Sequence, residues 1–396
     1  MGSKSALLKG DLGEVVLAEA GEANRFVDLF AGSGSVSHFV SERVSVPVLS
    51  VDLQEYARVL TGAITERTEV LDAGNLKSVW TDAVAAEIET DEFAQDLPSL
   101  LARPLSKTWV EKARRASRKT DKEKNRFITD HYGGHYFSPR QAYTLDLLYE
   151  RLPEASELRT VALAAMIHAA SACAAAPGHT AQPFQPTERL LPHIRDAWSR
   201  DVIEECKKYL DEIASRHALV AGRAVVADAE QFTSQLMSGD VVFCDPPYSA
   251  AQYSRFYHVL EGIATGGWPS VTGAGRSPER VLRASSDFSL LSKAAVAMEL
   301  LLDKLFEQRC RVIITFPAGE ASNGLSGNQI AAIANKKWAV EHLLIDSTHS
   351  TLGGSSADGG RGGRRVLKES LLLLSPKKRA KSTSHVPSQS LALQLG

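Results

Sequence analysis

Short apolar runs that end in a glycine turn or an acidic residue recur along the chain and constrain its fold most. They alternate with helical stretches, a pattern that predicts a mostly parallel sheet with helices on both faces. The predicted strands lie near residues 26–30, 48–52, 223–227, 241–244, 311–316 and 366–374, and the last is expected to close the sheet as a hairpin. Ligands of such sheets bind at the carboxyl ends of the strands, where Gly32, Asp52, Asp228 and Asp245 all fall. The sequence therefore predicts one shared site.

The run Val241–Cys244 leads directly into Asp245-Pro246-Pro247-Tyr248. Consecutive prolines fix their own φ and favour extended backbone before them, so this loop has little conformational freedom. Asp245 and a prolyl carbonyl can accept hydrogen bonds from an amino group, while Tyr248 offers a ring for stacking. The loop thus suits a planar group that carries an amine, such as a nucleobase. The alternative is an ordinary turn with a surface acid.

A second motif, Asp28-Leu29-Phe30-Ala31-Gly32-Ser33-Gly34, joins the first predicted strand to a helix. Glycines allow a tight bend and close approach of a ligand. The motif lacks the G-x-G-x-x-G spacing of dinucleotide-binding sites and the Lys-Ser/Thr pair of a phosphate-binding loop. About 20 residues later the second strand ends at Asp52, the position that binds ribose hydroxyls in related folds. Each strand-end acid could instead cap a helix.

Phe30-Ala31-Gly32-Ser33-Gly34 followed by Asp245-Pro246-Pro247-Tyr248 resembles the adenine-specific DNA amino-methyltransferases, in particular the Dam-like subgroup with the cofactor motif upstream of the catalytic motif. The extension Ser249–Glu261 also resembles a branch of that family. The family's N-terminal cofactor motif, an aromatic-containing segment with Gly-Gly-Lys, is reduced here to Leu7-Leu8-Lys9-Gly10. The resemblance implies a Rossmann-like S-adenosylmethionine-dependent methyltransferase sheet with a mostly helical inserted target-recognition domain.

The resemblance also implies roles for individual residues. S-adenosylmethionine is the implied cofactor, with Phe30, Ala31, Gly32, Ser33 and Gly34 on its methionine side. Asp28 would orient its amino acid group, Asp52 would hold the ribose hydroxyls, and Asp228 with Ala229 would contact its adenine. Asp245 and the Pro246 carbonyl would accept the two amino hydrogens of a flipped adenine that stacks on Tyr248, beside Pro247. Tyr253, Tyr257 and His258 are expected to complete the base pocket.

The predicted catalytic domain comprises residues 1–60 and 216–375, with a helical DNA-recognition insertion at 61–215 and a basic disordered tail at 376–396. Between residues 107 and 126, nine basic residues stand against three acids, a composition suited to phosphate contacts or to a solvated helix face. The polar loops at residues 131–140 and 177–186 are candidates for contact with the base. The predicted DNA-binding residues are Lys112, Arg114, Arg115, Arg118, Lys119, His179 and Gln182.

Composition fits a large cytoplasmic enzyme: 396 residues, 44% of them hydrophobic, with a formal net charge of −2. Four scattered cysteines form no C-x-x-C pair, and His131, His135 and His179 lack metal-ligand spacing, so no metal is expected. No run approaches the 18 apolar residues that a membrane span requires. Double-stranded DNA is the expected partner, together with a cognate restriction endonuclease or other defence proteins.

Two alternatives remain open at this point. A methyltransferase of the same fold could act on RNA or on a protein glutamine, although such enzymes usually carry Asn where this chain has Asp245. A DNA-binding relative could also have lost turnover while keeping the fold.

Overall fold

The computed structural model describes residues 4–97, 105–118, 126–349 and 365–377. It is a mixed α/β structure built on one seven-stranded sheet. The strands are β1 (Arg25–Asp28), β2 (Val48–Asp52), β3 (Arg223–Val226), β4 (Asp240–Cys244), β5 (Arg311–Pro317), β6 (Trp338–His349) and β7 (Arg365–Pro376). Their order is β3-β2-β1-β4-β5-β7-β6, in which β7 is antiparallel to both of its neighbours and the other pairs are parallel.

Helices precede the first strand, fill most of the long stretch between β2 and β3, and connect the later strands. They are α1 (Lys4–Leu7), α2 (Asp11–Gly21), α3 (Ser35–Ser41), α4 (Glu55–Thr65), α5 (Ala73–Leu76), α6 (Ala83–Thr90), α7 (Glu92–Asp96), α8 (Lys107–Ser117), α9 (Phe127–Tyr132), α10 (Pro139–Glu150), α11 (Ser156–Cys173), α12 (Leu191–Trp198), α13 (Val202–Ala214), α14 (Ala229–Phe232), α15 (Tyr253–Phe256), α16 (His258–Thr265), α17 (Ala294–Glu307) and α18 (Gly327–Ala334). A π-helical segment, Lys77–Asp82, joins α5 to α6, and three-ten turns occupy Thr233–Gln235, Arg280–Leu282 and Asp287–Ser289.

Alternation along the central strands divides the apolar side chains between two faces of the sheet. In β4, Val242 and Cys244 pack with residues of α14, α17 and α18, whereas Val241 and Phe243 pack with residues of α2 and α3. Because successive side chains of a strand point to opposite faces, a continuous apolar run is what a strand buried on both sides requires. The predicted parallel sheet with helices on both faces is confirmed.

The last two strands pair over their full length, with Leu343 opposite Leu371. The predicted closing hairpin therefore involves β6, which the strand pattern did not predict. Its sequence is interrupted by Glu341 and His342, and residues 341–344 are all exposed because β6 is the edge strand. An edge strand buries little of its surface, so its apolar alternation is weak.

The described part of residues 61–215 is mostly helical, as predicted. Its helices α11 and α13 share one hydrophobic core with α4 and α16, so this layer packs directly against helices of the sheet region. The predicted boundary between residues 60 and 61 falls inside α4. The assignment of this layer as a DNA-recognition domain stays a prediction.

Candidate functional site

A cavity of about 380 Å³ opens at the carboxyl ends of β1, β2 and β4. Both sequence motifs line it. From the glycine turn come Phe30, Ala31, Gly32 and Ser33, and from the loop after β4 come Asp245, Pro247 and Tyr248. The strand-end acids Asp28, Asp52 and Asp228 line the same cavity, together with Ala229. The structure thus brings together residues that lie up to 220 positions apart in the sequence.

The glycine turn is held by Asp52. Its carboxylate accepts a hydrogen bond from the Gly32 N–H at 2.9 Å and another from the Gln54 N–H at 3.0 Å. Gly34, the residue before α3, has a φ of +80°, and a Cβ there would lie 2.7 Å from the His38 ring. Gly34 does not line the cavity, so its contribution is to the backbone turn that presents its neighbours.

Two acids beside this turn are strongly desolvated. Burial raises the pKa of Asp28 to about 7, although the Ser37 hydroxyl donates to its carboxylate at 2.8 Å. Burial raises the pKa of Asp52 to about 6, against the lowering effect of its backbone hydrogen bonds. Raised carboxylate pKa values inside a cavity are typical of sites that bind a ligand.

Asp228 caps a helix and also borders the cavity. Its carboxylate caps α14 by accepting from the N–H groups of Glu230 and Gln231, at 3.0 and 3.1 Å. It also borders the cavity. Capping a short helix and facing a ligand are compatible because a carboxylate has more than two acceptor positions.

The loop after β4 is fixed from several sides. Thr315 of β5 donates a hydrogen bond to Asp245 Oδ1 at 3.0 Å, and Asn323 donates to the Pro247 carbonyl at 2.9 Å. Pro246 is buried behind the loop, outside the set of residues that line the cavity. The Tyr248 ring packs edge-on against Phe316. Asp245 and Tyr248 are thereby held at the cavity wall with little freedom to move.

Lys4 is a cavity residue that the sequence analysis missed. Its ammonium Nζ lies 3.0 Å from Asp245 Oδ1 and also pairs with the buried Glu369 of β7. In the segment Leu7–Gly10, which was predicted as the reduced N-terminal motif, Lys9 is exposed, whereas Lys4 lines the cavity. The signal that could have found it is Gly2-Ser3-Lys4, a glycine and a small residue before a lysine.

Burial and charge act in opposite directions at this pair. Burial lowers the pKa of Lys4, but the negative charges of Asp245 and Glu369 raise it by a larger amount. The pKa therefore lies above its ordinary value, and the ammonium stays charged. Burial and the neighbouring Glu369 raise the pKa of Asp245, while Lys4 lowers it, and the pKa remains above its ordinary value. Lys4 therefore favours the ionised form of Asp245, the form that accepts hydrogen bonds.

The predicted base-pocket residues divide into two groups. Tyr253 and Tyr257 line the cavity, and Tyr257 packs against Tyr56 with ring centroids 5.4 Å apart. The prediction for His258 was wrong. Its side chain is fully buried, and its ring nitrogens lie 3.0 Å from the carbonyl oxygens of Arg255 and Gly275. His258 therefore ties α15 to the loop that follows α16.

Glu261 of α16 also supports this wall. Its carboxylate accepts hydrogen bonds from the N–H groups of Glu55 and Tyr56 at 3.0 and 2.9 Å, so it caps α4 from a helix 200 residues away. Burial raises its pKa to about 7. Because Tyr56 and Tyr257 both border the cavity, this contact joins the part of the cavity wall formed by α4 to the part that precedes α16.

The predicted DNA-binding residues that the structure describes are absent from the cavity lining. Lys112, Arg115 and Arg118 are exposed on or just after α8, Arg114 donates to the Gly134 carbonyl at 3.0 Å, and Lys119 lies outside the described residues. In the loop at residues 177–186, Pro177 and Gly178 line the cavity. His179 instead packs near Phe256, with ring centroids 5.0 Å apart, and Gln182 is exposed.

Neither a metal-binding cluster nor a membrane-spanning helix occurs in the described residues. No cluster of three or more His, Cys, Asp or Glu side chains in that part of the chain has a geometry that could hold a metal ion. No helix there combines the length and apolar character needed to cross a bilayer.

Comparison with known proteins finds similarity in the region that contains the loop after β4. Residues 195–278 match the model of the D12 class N6 adenine-specific DNA methyltransferases. Over 69 residues the chain is 41% identical to the modification methylase LlaI of Lactococcus lactis subsp. lactis. That alignment covers 17% of this chain and spans only 11% of the relative's length. The predicted resemblance to the adenine-specific DNA methyltransferases is thus confirmed, through the region that contains Asp245–Tyr248.

Proposed function

We propose that this protein transfers a methyl group from S-adenosylmethionine to the exocyclic N6 amino group of an adenine that it flips out of duplex DNA. The observation that carries the proposal is the single cavity lined by both the glycine turn and the Asp245–Tyr248 loop. The family match at residues 195–278 supports the reaction class, because that match contains the loop. The cavity's volume of about 380 Å³ lies within the range of pockets that enclose small ligands.

The residues on the cofactor side fit S-adenosylmethionine. Gly32, with a φ of +52°, brings backbone close to the cavity, as binding of a bulky ligand beside a turn requires. Asp52 supplies a carboxylate for two ribose hydroxyls, and Asp28 supplies a second carboxylate near the amino acid end. When bound, S-adenosylmethionine supplies an electrophilic methyl group on a sulfonium.

On the base side, the protein's task is to prepare a weak nucleophile. The amino nitrogen of adenine shares its lone pair with the ring, so it must be oriented and partly pyramidalised before it can attack. Asp245, which lines the cavity, would accept one of its two hydrogens, and Tyr248 would stack on the ring. Thr315 and Lys4 hold the Asp245 carboxylate in place from behind. Positioning of this kind contributes a large part of the rate of a bimolecular transfer.

The acceptor role assigns a protonation state to Asp245. Only the ionised carboxylate leaves both oxygens free to accept, and Lys4 at 3.0 Å favours that state. The proton released when the amine becomes methylated can pass to Asp245 or to solvent. No covalent enzyme intermediate is needed, which agrees with the burial of all four cysteines.

Recognition of the DNA site is assigned to the helical layer at residues 61–215. The exposed basic side chains Lys112, Arg115 and Arg118 are suited to phosphates, and the loop containing Pro177 and Gly178 reaches the cavity itself. The relative's name, modification methylase, favours a role in restriction-modification or another defence system, with a cognate nuclease as partner.

The test is modification-sensitive sequencing of genomic DNA from a methylation-free host. The host would express the intact protein, Asp245→Ala, or the control Asp303→Ala, whose half-buried carboxylate pairs with Lys337 and does not line the cavity. We expect N6-methyladenine at one recurring sequence with the intact protein and the control only. Calorimetry should show that Asp245→Ala still binds S-adenosylmethionine. Unmodified DNA from a host that makes soluble, cofactor-binding wild-type protein would refute the proposal.

A further inference from the structure

The connection between α16 and α17 contains an exposed apolar tip. In the three-ten turn Arg280–Leu282, Val281 is 83% exposed, more than any other large apolar side chain in the described ranges, and Leu282 is 41% exposed. An isolated exposed apolar residue is ordinary in a soluble protein. The position of this one beside the cavity is what makes it informative.

Hydrogen bonds hold the segment that follows the tip against the cavity wall. Ser254 Oγ donates to the Ala284 carbonyl at 2.6 Å. The Gln252 amide pairs with Ser286 twice, accepting from its N–H at 2.7 Å and donating to its carbonyl at 2.9 Å. These four residues line the cavity. The tip ends one residue before Arg283 and two residues before this wall, so it stands at the cavity rim.

Three arginines surround the tip without acidic partners. Arg280 and Arg283 flank it, and Arg255 follows the wall residue Ser254. None of the three forms an ion pair in the part of the chain that the structure describes, and the buried Nε of Arg283 has no hydrogen-bond partner. Burial, Arg255 and Arg280 together lower the pKa of Arg283. Uncompensated guanidinium groups at a cavity rim favour the arrival of an anion, and arginine forks match phosphate oxygens.

We propose that the turn at residues 280–283 docks on the DNA duplex beside the flipped base. Arg255, Arg280 and Arg283 contact backbone phosphates, and Val281 with Leu282 enters the space that the base leaves in the stack. Apolar side chains inserted between base steps are a recurrent device of proteins that distort DNA. This inference rests on the proposed function and adds a second DNA-contacting element to α8.

The arginine contacts are tested by the salt dependence of binding to a fluorescent DNA duplex. The plot of log affinity against log salt has a negative slope, and each lost phosphate contact makes that slope less steep by about 0.9. We expect the slope of Arg280→Gln/Arg283→Gln to be less steep than that of the wild type by about 1.8. The matched control is Arg223→Gln/Arg309→Gln, two exposed arginines at or before the amino ends of β3 and β5, on the opposite edge of the sheet. A slope equal to that of the control would overturn the phosphate contacts.

The apolar tip is tested by the initial rate of methyl transfer to duplex DNA. We expect Val281→Ser/Leu282→Ser to lower the rate about tenfold, because no apolar side chain then occupies the space that the flipped base leaves between its neighbours. Its salt slope and its affinity for S-adenosylmethionine should match wild type, which excludes misfolding. The control is Leu343→Ser/Leu344→Ser on the edge strand β6, where both side chains are also exposed. A rate equal to wild type would overturn the insertion.

The two proposals fail in different ways. A wild-type protein that neither binds DNA nor methylates it would refute the proposed function itself. A wild type that does both, with both turn variants behaving like their controls, would leave the function standing and remove the turn from it.

Discussion

Replacing Lys4 by methionine should move the pH range in which the enzyme works. Lys4 Nζ lies 3.0 Å from Asp245 Oδ1, and the same ammonium pairs with the buried Glu369. An opposite charge at this distance lowers a carboxyl pKa by about 1 to 3 units, equivalent to about 1.4 to 4 kcal/mol. In Lys4→Met, the carboxyl groups of Asp245 and Glu369 lose the ammonium group that lies between them. The pKa of Asp245, already raised by burial, then rises further.

The sign of the effect follows from the acceptor role of Asp245. The ionised carboxylate is present above its pKa and is lost as the pH falls through it. A higher pKa of Asp245 therefore moves the fall of kcat at acidic pH, the acid limb of the profile of kcat against pH, to higher pH by about 1 to 3 pH units. The assay is single-turnover methyl transfer across pH, with S-adenosylmethionine saturating. Lys9→Met is the matched control, since Lys9 is exposed and lies outside the cavity.

A second substitution separates the charge effect from simple damage to the N-terminus. Glu369→Gln removes the like charge, so the variant Lys4→Met/Glu369→Gln should recover part of the wild-type acid limb. An acid limb that stays in place in Lys4→Met, with a uniformly lower rate at every pH, would refute the charge argument. Lys4 would then act only through packing.

Three other perturbations give independent checks on the same structure. Thr315→Val removes the hydroxyl that donates to Asp245 at 3.0 Å. Because a hydrogen bond to a charged group contributes about 1.5 kcal/mol, kcat should fall by about tenfold while the affinity for the cofactor stays the same. An unchanged kcat would show that Asp245 is positioned without this hydrogen bond. Burial raises the pKa of Asp52 to about 6, and its ionised form is the acceptor, so calorimetric affinity for S-adenosylmethionine should fall as the pH drops through about 6. Asp52→Asn should bind weakly and should lack the fall in affinity at about pH 6; the same fall in Asp52→Asn would refute the assignment of that titration to Asp52. Asp146 is buried and accepts hydrogen bonds from the N–H groups of Ile128 and Thr129 and from the Thr129 hydroxyl. In denaturant titrations, Asp146→Ala should therefore lower the free energy of unfolding by about 3 kcal/mol. A loss below about 1 kcal/mol would contradict the importance of those hydrogen bonds.

Local sequence patterns predicted the central strands because these strands are buried on both faces. Continuous apolar runs such as Val241–Cys244 have few other stable environments, and the residues at their ends must meet at one edge of a parallel sheet. That reasoning predicted one shared location for Gly32, Asp52, Asp228 and Asp245, and all four line the same cavity. It failed at β6, where an exposed edge strand carries polar residues, and at His258, whose helical spacing did not reveal that its ring faces the interior.

The sequence by itself determined the fold class, the strand-end acids and the rigid loop after β4, because each depends on local backbone and burial requirements. Only the tertiary structure decided which distant groups set the position and the charge state of Asp245 in that loop. Lys4 and Glu369 lie at opposite ends of the chain, yet they meet at Asp245. Glu261 caps a helix 200 residues away, and Ser254 and Gln252 hold the Arg280–Arg283 turn at the cavity rim. Such contacts arise from the packing of whole elements, and no spacing along the chain encodes them.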